Sequence, residues 1–378
     1  MKIKWIIKTA KLAATALSVL TFVIAVTAAD SGIMYDLYNS IPEEVTPLLP
    51  DELFGEDAKA EDTAKQLGVG YIFGELSDML KEALIPAAGF LSVILGTVLI
   101  SSAVGLLSRD LSGGSMSSAV SMITCLSLAI YIVTVEERRA ENVGIFAGSV
   151  TSFTSAMVPV MAGLLSASAN TAGAAVTSSG LFLFSAAVDY AVTYIFIPMF
   201  RFGLALAVIS SVAGDESGVG GICDAVKRTF SWLAAGAATI FATVLTYQTE
   251  LAAAADTTAA RGMKYALGSA VPVVGGALGD AVRTAVSGLS VIKSGAGTVG
   301  IVVLILLTCP LLISLAYTSL SLGAASFAAS TLGCKREARL LSELRSITGF
   351  AVAIVALIGF VFIFALALII KTAPALSL

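Results

Sequence analysis

Long apolar runs, separated by short polar links, fill the chain from Leu84 almost to its end. A helix crosses the hydrocarbon core of a bilayer with about 20 consecutive apolar residues. Runs of that order lie at 84–107, 116–135, 145–165, 173–200, 230–247, 298–320 and 347–370. A shorter apolar stretch, 201–213, fits a return leg, a re-entrant hairpin or a tilted continuation of the run before it. The links include RDLSGGS after the first run and EERRAEN after the second. The pattern therefore predicts about seven or eight spans. Only helices and closed barrels can satisfy their backbone polar groups in lipid. These runs are too long and too continuously apolar for barrel strands, so the expected fold is all-α, a polytopic membrane helical bundle.

Composition sharpens this picture. Apolar residues make up 57% of the chain and charged residues 13%, against about a quarter charged in a soluble globular protein. The mean hydropathy is +0.94.

The first 29 residues read as a signal peptide. Lys2, Lys4, Lys8 and Lys11 give a cationic start, Leu12 to Val26 is apolar, and Val26 to Ala29 supplies small residues for cleavage before Asp30. An uncleaved first membrane helix is the other reading. Both leave residue 30 outside the cytoplasm, because lysines ahead of an apolar run stay inside.

Residues 30–83 differ in kind. They hold 13 of the 26 acidic residues against three lysines, Lys59, Lys65 and Lys81. Pro42, Pro47 and Pro50 break the first half into turns. The second half carries Leu67, Val69, Ile72, Phe73, Leu76, Met79 and Leu80 at helical spacing. An acidic extracytoplasmic docking segment and a solvated linker with an amphipathic surface helix both fit.

Residues 84–248 form the main membrane region and 298–378 the C-terminal membrane helices. Between them, 249–297 is rich in Ala and Gly with spread charges: Glu250, Asp256, Arg261, Lys264, Asp280, Arg283 and Lys293. It is too polar to span alone and too apolar for a free loop. Amphipathic helices in the interface, or a re-entrant region beside a water-filled space, suit that balance. With an outside start and alternating spans, the inside links carry Arg109, Lys227, Arg228, Lys335, Arg336, Arg339 and Arg345. The short outside links and the tail carry Arg138, Arg139 and Lys371, a bias that agrees with the positive-inside rule for short loops; the long region 249–297 faces outward on this topology.

Chemistry is excluded more firmly than it is suggested. The chain has no histidine, which removes His-activated nucleophiles, imidazole metal ligands and histidine proton relays. Cys125, Cys223, Cys309 and Cys334 are far apart, with no CxxC pair. The GxGxxG match at Gly295 to Gly300 runs into a membrane span and lacks the βαβ context of a dinucleotide site. Gly276 to Asp280 only faintly resembles an intramembrane aspartyl-protease motif. No catalytic, cofactor-binding or metal-binding residue is expected, and no enzyme.

Asp189 and Arg201 are the ionisable residues expected at membrane depth. A charge there usually faces a bundle interior or a water cavity, often paired. A helix break at Pro198 would let the two meet across a hairpin, lining a polar path or fixing a gate. The other reading places them at an interface, with Arg201 snorkelling.

The order of parts, and several stretches within it, resemble the stage III sporulation protein AE family of endospore-forming bacteria. The most specific stretch runs from Ala253-Ala254-Ala255-Asp256 through Arg261-Gly262-Met263-Lys264-Tyr265-Ala266 to Val271-Pro272-Val273-Val274-Gly275. Asp280-Ala281, Ser290 to Ser294, Thr298 to Val302, and Ile197-Pro198 before Ile209-Ser210-Ser211-Val212 continue it. Arg201 departs from an otherwise apolar family stretch.

The resemblance implies a multi-pass protein of the mother-cell membrane around the forespore, with its mature N-terminal segment extracytoplasmic. It implies membership of a channel or feeding apparatus that supports late forespore gene expression. Implied partners are other proteins of the same operon, including ring-forming single-span proteins and a cytoplasmic ATPase, together with a forespore-side protein. A homo-oligomer held by small-residue faces is expected, with no nucleic acid. Arg261, Lys264, Pro272, Gly275, Asp280 and Arg283 form the candidate assembly region. The alternative function is a stand-alone secondary transporter of a small solute, whose usual sign is an inverted internal repeat with paired helix breaks.

Overall fold

A computed structural model describes residues 41–50, 67, 69–112, 114–167, 171–213, 221–233 with 235–237, 239 and 243, and 275–372. The signal-peptide reading of 1–29, most of the acidic segment, and Arg261, Lys264 and Pro272 lie outside the described residues.

The apolar runs fold as helices that are longer than the runs themselves. Helix α1 is Val69–Ser112 and α2 is Gly114–Ala167. Helix α3, Thr171–Ala191, passes through a π-turn at Val192–Phe196 into α4, Ile197–Ala213. A short helix α5 covers 221–233. Helix α6, Gly275–Thr331, and α7, Lys335–Thr372, complete the bundle. All regular structure among the described residues is helical, as expected. Five helical stretches there are long and apolar enough to cross a membrane: Gly70–Leu107, Ser118–Gly163, Ser179–Ala213, Gly297–Thr331 and Lys335–Ala367.

This differs from the predicted seven or eight spans in identifiable places. EERRAEN is not a link. It lies in the middle of α2, which carries the runs 116–135 and 145–165 on one 54-residue rod. The seven residues contain no Gly or Pro, and Glu, Arg and Ala are strong helix formers. The stretches 173–200 and 201–213 likewise continue one another. Pro198 breaks nothing, because the π-turn just before it accommodates the missing donor: the Ile197 N–H bonds back to Val192 O. Residues 275–297 run without interruption into the following span as the first part of α6. The RDLSGGS link does fall where α1 gives way to α2.

Helix α2 is about 81 Å long and α6 about 86 Å at 1.5 Å per residue. A bilayer core is about 30 Å thick, so each rod reaches well past one hydrocarbon layer or crosses it steeply.

Helices α6 and α7 pack most extensively on each other, α2 lies against α3, α1 against α6 and α2, and α7 touches α2 and α4 as well. Gly333 closes α6. Its φ of +76° is the left-handed conformation that glycine adopts without penalty, and the Cys334 N–H reaches back to Ala329 O at 2.9 Å. Small residues allow close rods. A Cβ on Gly359 of α7 would overlap the Thr308 side chain of α6, and one on Gly300 would press Met157 of α2. Fully buried Phe153, Phe200, Phe362, Leu128, Ile132 and Met157 fill the middle. Phe230 of α5 stacks on Phe350 of α7 at 5.1 Å and meets Phe196 edge-on at 6.0 Å.

Part of the acidic segment is docked. Residues 41–50 form turns around a short 3-10 helix at Thr46–Leu48. Ile41, Val45 and Leu49 are buried there, and the Tyr71 hydroxyl of α1 donates to Leu48 O.

Candidate functional site: polar layers inside the bundle

In an apolar bundle, the informative groups are the polar ones that are buried. Three layers hold many of them, and hollows lie beside or near these layers. The first layer lies beside the α6–α7 turn. Glu337, in the first turn of α7, has no exposed surface. The Ser101 hydroxyl of α1 donates to its Oε1 at 2.5 Å and the Thr124 hydroxyl of α2 at 2.8 Å. Ser121 stands 3.3 Å from both carboxylate oxygens. Ser101 and Thr124 also meet each other at 2.9 Å. Three hydroxyls from two helices thus satisfy one buried acid, as burial of such a group requires. Nearby, Arg336 Nη1 donates to Ser118 O at 3.0 Å. The hollow of about 450 Å³ beside this layer is walled by serines and by Cys334, Lys335 and Arg336.

The second layer couples α5 to α7. Lys227 Nζ lies 2.5 Å from Glu343 Oε2, and the Cys223 thiol donates to the same oxygen at 3.0 Å. Burial pushes the Cys223 thiol up to about 12, and the hydrogen bond to Glu343 adds to the shift. Burial pulls the Lys227 ammonium down, but the hydrogen bond and charge of Glu343 outweigh it, and the group is held above its usual value.

The third layer crosses the middle of α2, about 18 Å further along the rod from Thr124. Glu136 has no exposed surface. Its Oε1 is 3.4 Å from Arg139 Nη1, while its Oε2 has no hydrogen-bond partner among the described residues. The Arg139 guanidinium sits 5.3 Å over the Phe90 ring of α1, a cation–π arrangement. Arg139 also lines a hollow of about 280 Å³ with Pro86 of α1 and Pro310, Tyr317 and Thr318 of α6. Half-exposed Arg201 of α4 bonds Glu137 at 2.9 Å.

The residues singled out from sequence are therefore placed as follows. Arg201 and Asp189 do not meet. They lie on one continuous helical run, about 18 Å apart along it, and Arg201 takes Glu137 as partner. Pro198 lies within α4 just past the π-turn. Asp189 is exposed on α3 and lines a hollow with Ser185 and with Thr151, Ser152 and Ser155 of α2. Gly275 begins α6, and Asp280 and Arg283 lie in its first turns.

Sequence reasoning missed Glu136, Glu137 and Glu337. EERRAEN was legible as a run of helix formers, and an acid just after the glycine stop at Gly333 is where a helix N-terminus favours one. Among the described residues, no group of three His, Cys, Asp or Glu is placed to hold a metal ion.

Apolar rods of this length, with large exposed hydrophobics such as Ile85, Leu106, Ile130, Phe182, Phe327 and Phe360, mark a helical membrane protein with five helical stretches of membrane-crossing length among the described residues. The family model for stage III sporulation protein AE matches residues 57–373. The chain belongs to that family, a family of sporulation-related membrane proteins. No curated protein and no solved structure matches it.

Proposed function

We propose that this chain is the multi-pass membrane core of a sporulation channel that links mother cell and forespore and sustains late forespore gene expression. The observation that carries this reading is the family match over 57–373, combined with five membrane-length helices in the same stretch. The protein is an assembly component and not an enzyme. Its partners are the ring-forming single-span proteins and cytoplasmic ATPase of the same operon, a forespore-side protein, and further copies of itself.

Charge placement supports an orientation. The C-terminal end of α1, the N-terminal end of α2, the α6–α7 turn at Gly333 and the Lys227 end of α5 lie toward one end of the bundle, linked by Ser101–Glu337 and Lys227–Glu343. That end carries Lys335, Arg336 and Arg339, so the positive-inside bias puts it in the cytoplasm. The Val69 end of α1, with the acidic segment, then faces the intermembrane space, where rings dock.

The test is deletion of the gene in its own host, with sporulating cells imaged after engulfment. Small or collapsed engulfed forespores with failed late transcription are expected. Normal spores with a defect in solute uptake would refute the channel reading in favour of a secondary transporter.

A further inference from the structure

Asp189 stands ten residues into the apolar helical stretch Ser179–Ala213. A carboxylate at that depth needs a counter-charge. The cation nearest to it along its own helical run, Arg201, is engaged with Glu137. What lines the hollow beside Asp189 is a set of hydroxyls together with the apolar Phe182 and Ala186. The carboxylate shares this hollow, of about 250 Å³ between α2 and α3, with Ser185, Thr151, Ser152 and Ser155.

Two of these hydroxyls behave differently. Thr151 turns its proton back onto its own helix, donating to Ala147 O at 2.9 Å and Gly148 O at 3.0 Å. Its lone pairs stay available. Back-bonding of this kind is how helical Ser and Thr usually satisfy themselves. Ser185 does not do so. It is 2% exposed, and its Oγ has no hydrogen-bond partner among the described residues. A buried hydroxyl left unsatisfied beside a carboxylate marks a place where another group completes the shell.

The chemistry of that group follows from charge and ligand type. Carboxylate and hydroxyl oxygens are hard donors that suit hard cations. One carboxylate balances one positive charge. A divalent ion would leave a net charge at membrane depth, and no second acid joins the hollow. We propose that Asp189, Ser185, Thr151, Ser152 and Ser155 form a binding site for a monovalent alkali cation, sodium in the first instance, on the outer face of the α2–α3 pair. The site does not depend on the sporulation reading, since it rests on the side chains of two helices.

The test uses the full-length protein in detergent at fixed pH and ionic strength. A hydrophobic carbodiimide modifies carboxyls in apolar surroundings, and mass spectrometry follows the peptide that contains Asp189. In choline chloride Asp189 is labelled; replacing choline by sodium slows labelling several-fold. Ser185→Ala keeps the carboxyl and is still labelled, but needs about tenfold more sodium for half-protection, the loss of one hydrogen-bonding-strength contact to an ion. Asp189→Asn removes label from that peptide alone. Equal labelling in sodium and choline, no labelling of Asp189 in choline, or unchanged protection in a Ser185→Ala protein with wild-type melting would each overturn the proposal.

Discussion

Ser101 and Glu337 are 236 residues apart in the chain, and their oxygens meet at 2.5 Å. The contact pins α1 to the start of α7 beside the Gly333 turn. It also fixes where the two helical hairpins sit along each other, because Thr124 of α2 closes on the same carboxylate oxygen at 2.8 Å. Replacing Glu337 by Ala removes the common acceptor of three hydroxyls and leaves a cavity. The expected loss is about 2–4 kcal/mol. Glu337→Gln keeps one acceptor and loses less. Thermal unfolding of the purified protein in detergent, comparing the two variants, checks the order.

The Arg201–Glu137 pair is half exposed, with 50% and 36% of the two side chains accessible. Pairs of that exposure are worth under about 1 kcal/mol. Arg201→Ala and Glu137→Ala should each cost little, and their double-mutant cycle should show a coupling below that figure. A larger coupling, measured by the same unfolding assay, would mean that the pair is screened from solvent by lipid or by a second copy.

At Gly359, α7 packs directly against the Thr308 side chain of α6. The facing Thr308 is β-branched and stiff, and its hydroxyl is held by Leu304 O at 2.6 Å. A methyl at 359 therefore meets a side chain with little room to turn. Gly359→Ala should destabilise the hairpin by about 1–3 kcal/mol, whereas Gly349→Ala, with open space at that position, should be near neutral. Comparing the two melting midpoints separates close packing from loss of glycine itself.

Alkaline pH should loosen the α5–α7 contact. The Cys223 thiol, pushed up to about 12 in the fold, ionises near 8.5 when unfolded. Between those values the unfolded chain has lost a proton that the folded one keeps, so stability falls as pH rises. Lys227, also raised, contributes stability that is fully present below its unfolded value and lost above it, in the same direction. Melting midpoints measured from pH 7 to 11 should decline, and Cys223→Ser should flatten the slope. Maleimide should also modify Cys223 far more slowly at pH 8 than an unperturbed thiol.

A continuous α2 makes a distance prediction. Spin labels at Ile123→Cys and Ser152→Cys, with the native cysteines replaced, should lie about 44 Å apart along a straight helix. A hairpin turning at EERRAEN would bring them far closer. Pulsed electron resonance distinguishes the two.

Several of these features were open to reading without coordinates. The apolar runs, the helical class and the family stretch around Ala253 to Gly275 stand in the primary structure. So does the interruption at RDLSGGS, where Gly113 and Gly114 separate two apolar runs. The continuity of α2 is not legible in the primary structure, because charges between apolar runs usually mark water. Here they have partners instead: Glu136 has Arg139, Glu137 has Arg201, and Arg139 has the Phe90 ring. Those partners lie on other helices or one helical turn away, and only packing reveals the former.

What the sequence determined by itself is the solvent the chain is built for, since the length and apolarity of its runs follow residue by residue. It also determined the family, which rests on order and pattern. The tertiary structure decided which polar groups are satisfied and by whom. The pairing of Glu337 with Ser101, the separation of Asp189 from Arg201, and the unspent hydroxyl of Ser185 depend on which helix lies against which. The interhelical packing that sets this leaves no periodic signal along a single strand of sequence.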